Sequence, residues 1–373
     1  MTLPTSIPSK TSYTEAEHRT HHQQLHGMYN VLYGDFATAT DIYVDDTNGN
    51  DANDGLAAGS GHAFKTMTRA AAVIPPIPMV AVTVHVADGT YSHALKIIGK
   101  RNDRSTMITV VGNTTTPNNV NFTGTSTAVR DDDWSGSAVG HIEGDVFVTL
   151  SGLRLRAPSG GEQQLAVRHG AWVKLDRVNG DTVSGTCNDG ITCADYSTIE
   201  IQRNCTFSGW TRWGWDISHT SKGRFTIAGT LTLTGPGGGS TTAQGIHVFE
   251  HSAFISYTAS CHITITGTQF AVQVGLNSEF QHQGATTTLT FTNTTTPTGS
   301  AIVQCTDHST FSTQGTITAD KFTNRFWANS ISYIEHSTYG GNAQGRNITN
   351  TGSDNGSQQS AILIDSTNTN YPV

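Results

Sequence analysis

The stretch Gly245–Phe254, GIHVFEHSAF, alternates apolar and polar positions, breaks at a polar corner and resumes. With Ile246 as position 0, apolar residues stand at 0, +2 and +8, and a small residue stands at +6. The same spacing returns as Leu165, Val167, Ala171, Val173, and as Ile191, Cys193, Ser197, Ile199. It returns again as Val272, Val274, Ser278, Phe280, then Val303, Cys305, Ser309, Phe311, then Phe326, Ala328, Ser332, Ile334. Trp215, Ile217 and Ser221 also fit, but Gly223 occupies +8, where Phe225 is a candidate replacement. Val139–Phe147 fits in part, with Asp145 at +6.

The units start at 139, 165, 191, 215, 246, 272, 303 and 326, so the intervals run from 23 to 31 residues. Self-similarity at this period signals a solenoid, propeller or array. Each unit adds a third short strand, such as LTLTG at 231–235 or ITITG at 263–267, and none carries a helical period. Three short strands per turn predict the rung of a parallel β-helix, with 0, +2 and +8 inward and a small +6 residue at a tight bend. Longer intervals read as surface insertions, such as GPGGGSTTA at 235–243. A propeller needs longer units of four antiparallel strands and hairpin signals that are scarce here.

In this frame Glu250 is +4. That column reads Glu143, His169, Asp195, His219, Glu250, Leu276, Asp307, Ser330, and +5 contains Tyr196 and His251. Rungs stack about 4.8 Å apart, so His169, Asp195, His219 and Glu250 form a ladder of alternating basic and acidic groups.

Composition sharpens the picture. Only 35% of the 373 residues are hydrophobic and 13% charged, with 39 glycines; this suits many short strands and turns. The net charge of −8, with no Lys/Arg block, disfavours nucleic acid. Residues 1–19 lack the apolar core of a secretory signal. The most apolar stretch, AAAVIPPIPMVAVTV, is broken by prolines, so no membrane insertion is expected. The five cysteines, Cys187, Cys193, Cys205, Cys261 and Cys305, have no metal-site spacing, and read as reduced core residues.

Residues 14–33 have helical spacing, with His18, His22 and His26 on one stripe; this predicts a leader over 1–40, used for attachment or oligomer contact rather than metal. Residues 41–80 hold the strand IYV, an Asp/Asn-rich loop and a short helix from about His62 to Ile74. The loop lacks the closing Glu of an EF-hand, and Asx turns account for its composition without calcium. The β-helix is expected over 81–340, followed by a segment 341–373 with one more strand near Ile362–Ile364.

The combination YVDDTNGNDANDG, AFKTMTRAAAVI, VTVHVADGTYSHALKIIG and ITVVGN, within 42–113, resembles the opening of pectate-lyase-like right-handed β-helix proteins of the bacteriophage tail spike type. The resemblance covers about 42–125 closely and later rungs by period alone. It implies an all-β, right-handed parallel β-helix capped by the short helix, and a homotrimer. It further implies a virion location in the tail, contact with a tail or baseplate protein through the N-terminus, and a bacterial surface polysaccharide as partner.

Candidate glycan-binding residues are Tyr196, Trp210, Trp213, Asp216 and His251, with Trp210 and Trp213 expected at a corner or loop and Trp215 in the core. Candidate catalytic residues are Asp195, His219 and Glu250. Asp195 and Glu250 lie two rungs apart, roughly 9.6 Å by rung spacing, near the separation of an inverting glycosidase. Asp189 could also reach in. A lyase would instead use His219 or Tyr196 as base with Arg212 or Arg203 to neutralise a carboxylate. The run DDDW at 131–134 reads as a solvated loop. No cofactor is implied. Catalysis and a purely structural role in the virion stand as alternatives to adhesion.

Overall fold

The structure is a computed structural model that describes residues 40–127, 137–158, 160, 163–236, 243–258, 260–284, 286–293, 301–313, 316–320, 324–328, 333–336 and 361–364. The leader with its histidine stripe, the DDDW run and most of 341–373 lie outside the described residues.

The chain winds as a right-handed parallel β-helix. One sheet of ten strands stacks the segments that start each unit, and a nineteen-stranded sheet, bent through Phe147–Ala157 and Trp172–Thr182, supplies the other two faces. Ile191 pairs with Leu165 and Trp215, Ile246 with Trp215 and Val272, and Val303 with Val272 and Phe326, so those units are in the register the spacing predicts. Position 0 and +2 side chains from Leu165 to Cys305 are fully buried. Phe254, Phe280 and Phe311, all at +8, stack face to face with centroids 4.5 and 5.0 Å apart. Such offset stacks add to the burial of each ring. All five cysteines are buried and outside any disulfide.

Two register expectations are corrected. Leu165 pairs with Gly140, not Val139, so the first unit slips by one and Glu143 is +3. Gly223 does hold +8, paired with Ile199 and Phe254. A Cβ there would lie 2.4 Å from Ile217 Cδ1 and 2.8 Å from Trp215 Cζ2, so the Trp215 indole fills the volume that Phe occupies on later rungs.

The corner at +4 and +5 is left-handed at both residues in six successive rungs, with φ of 52–64° at non-glycine positions such as Asp195, Tyr196, His219, Thr220, Glu250 and His251. L-residues resist this region. In the first five of these rungs it is held by a hydrogen bond in which the +5 N–H donates to the +4 carbonyl of the next rung, as from Tyr196 to His219 at 3.0 Å and Thr220 to Glu250 at 2.9 Å.

The first rung is capped as expected, but the helix is shorter, Met67–Val73. Phe64 is drawn into a bridge with Val44, and its N–H donates to the Tyr43 carbonyl. Asp51 then accepts the N–H groups of Lys65 and Thr66, each at 2.9 Å, and Thr66 caps the helix through Arg69 N–H. Asp45, Asn50 and Asp54 likewise accept loop N–H groups. Asx chemistry therefore accounts for the loop. Met67 and Ala70 are buried over the end of the solenoid. At the far end Ala361–Ile364 pairs in parallel with Tyr333–His336 and extends the stack. No helix among the described residues is long and apolar enough to cross a membrane.

Candidate functional site

The +4 corner carries the charged ladder. His169 Nδ1 lies 3.2 Å from Glu143 Oε1, and its Nε2 lies 3.8 Å from Asp195 Oδ2. His219 Nδ1 lies 3.4 Å from Asp195 Oδ1, and its Nε2 lies 2.8 Å from Glu250 Oε2. Glu143 belongs to the run through this Oε1 contact although it is +3, and its other oxygen reaches His141 Nε2 at 3.1 Å. The structure thus brings Asp195, His219 and Glu250 together, with the imidazole filling the space between the two carboxylates. All three are partly exposed, with side chains 33–43% open. Tyr196 stands out from the same corner at 76% exposure, and His251 is also exposed.

Beside the corner, the outward face of the ten-stranded sheet holds charged groups that are almost fully buried. Asp216 is 1% exposed, accepts from Ser218 Oγ at 3.0 Å and meets His247 Nδ1 at 2.7 Å. The His247 ring lies flat between Trp213, centroids 4.7 Å apart and 5° from parallel, and Phe249, 4.1 Å away. Arg212 covers the Trp213 ring from the side of the preceding rung, 4.0 Å from its centroid, and grips Asp189 through Nε at 2.9 Å and Nη2 at 2.6 Å. Burial pushes the Asp189 carboxyl up, against the opposing pull of Arg212. The result is a rigid polar wall along the axis. Arg203, the other arginine considered for a carboxylate partner, stands apart near Asp176 at 3.8 Å.

Several expected contacts move. Trp210 is not at a surface corner; it is fully buried, seated in an opening where a Cβ on Gly214 would meet its ring at 2.7 Å. It therefore cannot stack on a sugar. Trp213 is half-buried with its ring between Arg212 and His247, and Asp216 is sealed beneath His247, so neither offers the open face or oxygen expected of it. Tyr196 and His251 keep accessible positions. His247 escaped the sequence reading. The available signal was that Asp216 and His247 both occupy +1 on adjacent rungs, which places a carboxylate beside an imidazole.

No family model matches the chain, and no curated protein matches it. Among solved structures, the chain is similar to a GH136 lacto-N-biosidase from Eubacterium ramulus, in its selenomethionine form, at 10% identity and a TM-score of 0.49, over 94% of this chain and 70% of that one.

Proposed function

We propose that this chain is the glycan-binding β-helix of a bacteriophage tail spike, which engages a bacterial surface polysaccharide during host adsorption. In this reading it is a homotrimer in the virion tail, joined to a tail or baseplate protein through its N-terminal segment. The observation that carries the reading is the +4/+5 corner. Carboxylates and imidazoles alternate there at rung spacing from Glu143 to Glu250, and Tyr196 projects beside them. A linear polymer rich in hydroxyl groups fits a linear array of acceptors and donors, and an exposed aromatic face suits a sugar ring. The resemblance of residues 42–125 to tail spikes supports the same reading. Titration with capsular and lipopolysaccharide fractions of host strains tests it. Tyr196→Ala should weaken binding at least tenfold with an unchanged melting temperature. Absence of binding to every fraction overturns the proposal.

A second reading, glycan hydrolysis, is favoured by the placement of Asp195 and Glu250 on either side of His219. Shortening of the bound polysaccharide, abolished by Asp195→Asn and by Glu250→Gln, would support it. Shortening that survives both substitutions would remove the ladder from catalysis.

A further inference from the structure

Arg168 ends the strand Gln163–Arg168 on the outward face of the ten-stranded sheet, since its neighbours Leu165 and Val167 point into the core. It is only 5% exposed, and its Nε is buried without a hydrogen-bond partner. Among the described residues, no carboxylate pairs with its guanidinium. Glu143 lies opposite it in register but is spent on His141 and His169, at 3.1 and 3.2 Å. Lys96 and Arg168 both oppose protonation of the buried His141, adding to burial, which is the larger cause. Diagonally on the next rung, Thr192 Oγ1 is also buried and unpartnered.

A guanidinium withdrawn from water without a paired counter-charge is strongly destabilising. Folded proteins avoid such a group unless an anion completes it. The terminal nitrogens of an arginine form a planar fork matched to a carboxylate, phosphate or sulfate. We infer that Arg168, with the Thr192 hydroxyl diagonally beside it and Lys96 two rungs earlier on the same outward face, is the anchor for an anionic group carried by the bound glycan. This deepens the glycan-binding reading and rests on it. The chain as a whole is acidic, so the basic cluster selects where on the surface an acidic sugar can seat.

The test compares the full chain with Arg168→Met, which keeps the apolar stem and removes the charge. The probes are glucuronate, inorganic phosphate and glucose. The wild type should show a saturable rise in melting temperature with glucuronate or phosphate and none with glucose, and Arg168→Met should show no saturable response. A response to glucuronate alone identifies a carboxylate, and one to phosphate alone a phosphate. Affinity for acidic polysaccharide should fall at least tenfold in Arg168→Met. If that variant does not fold, Arg168→Lys, which keeps charge and loses the fork, should weaken the response. Identical anion responses in wild type and variants overturn the inference. Polysaccharide binding that persists unchanged in Arg168→Met also overturns it while leaving the glycan-binding reading intact. A saturable anion response without any polysaccharide binding keeps the anion site and sinks the glycan reading.

Discussion

The backbone N–H of Ser221 donates to the side-chain Oγ of Ser252, one rung further along the axis, at 3.1 Å. The relation repeats from Ser197 to Ser221 and from Ser252 to Ser278, each at 3.1 Å. The +6 serine is therefore more than a small residue at a bend. Where the chain leaves the left-handed corner, its buried N–H has no strand partner, and the next rung's hydroxyl satisfies it. Removing that hydroxyl leaves a buried donor unpaired, which costs about 1–3 kcal/mol. Ser252→Ala should lower stability by that amount in urea unfolding. Ser197→Ala is an internal control, because among the described residues its Oγ has no hydrogen-bond partner; it should cost clearly less. Equal losses would show that the ladder contributes nothing.

Thr220 sits at φ 63° on an exposed corner. A β-branched residue is a poor occupant of the left-handed region, while Asn tolerates it. Thr220→Asn keeps the N–H donated to the Glu250 carbonyl and should stabilise the chain by about 1 kcal/mol. The melting temperature of the variant measures this; a decrease would mean that the Thr220 side chain makes a contribution outweighing its backbone strain.

The solenoid was legible because its interior imposes one apolar register on every rung, and Ile246, Val272 and Val303 report that register directly. The reading slipped where a large side chain did not sit in its own slot. Gly140 leaves position 0 empty, so the adjacent Val139 took its place in the pattern; Gly223 leaves +8 to Trp215. The site was less legible. Strand alternation assigns Asp216 and His247 to the outside, where a position reads as exposed, and gives Asp189, two residues before Ile191, the inward parity of the core. Their burial arises from contacts between rungs, with Arg212 and Trp213 lying over neighbours 23 to 34 residues away in sequence. The left-handed corner was equally hidden, because Asp-Tyr, His-Thr and Glu-His carry no glycine to announce it.

Trp210 offers a direct check on the corrected core. Gly190 and Gly214, on adjacent rungs, leave the space into which its ring fits; a Cβ on Gly214 would meet Gly245 O and Trp210 Cζ2, each at 2.7 Å. Gly214→Ala should therefore destabilise the fold by about 1–3 kcal/mol through overpacking. Trp210→Ala should cost about 3–5 kcal/mol. In calorimetry both should lower the melting temperature, and the affinity of the folded protein for polysaccharide should stay the same. Retained stability in Trp210→Ala, with lost binding, would return the indole to the surface.

Acid should destabilise this protein well above the range where carboxylates titrate. His282 is fully buried, with neither ring nitrogen hydrogen-bonded, and burial, aided by His262, pushes it down to about 4. The unfolded chain takes up that proton near 6.5, so between the two values the unfolded state binds more protons than the folded state. Stability is complete above about 6.5 and falls as the pH drops toward 4, by on the order of a few kcal/mol for one such group. His141 adds in the same direction: burial lowers it to about 4, despite the Glu143 carboxylate that opposes the shift. Carboxylates held low, such as Asp176 beside Arg177, lose their contribution only at lower pH, whereas Asp189, pushed up by burial, contributes with the opposite sign, so it is the comparison of a His282 variant with the wild type between pH 7.5 and 5 that isolates this histidine. His282→Leu, an apolar side chain of similar size at an interior position, should melt with a shallower pH dependence than the wild type across that window, with His141 contributing to the remaining slope. Parallel slopes for the two proteins would mean that water or another donor reaches the His282 ring and that its burial imposes no proton penalty.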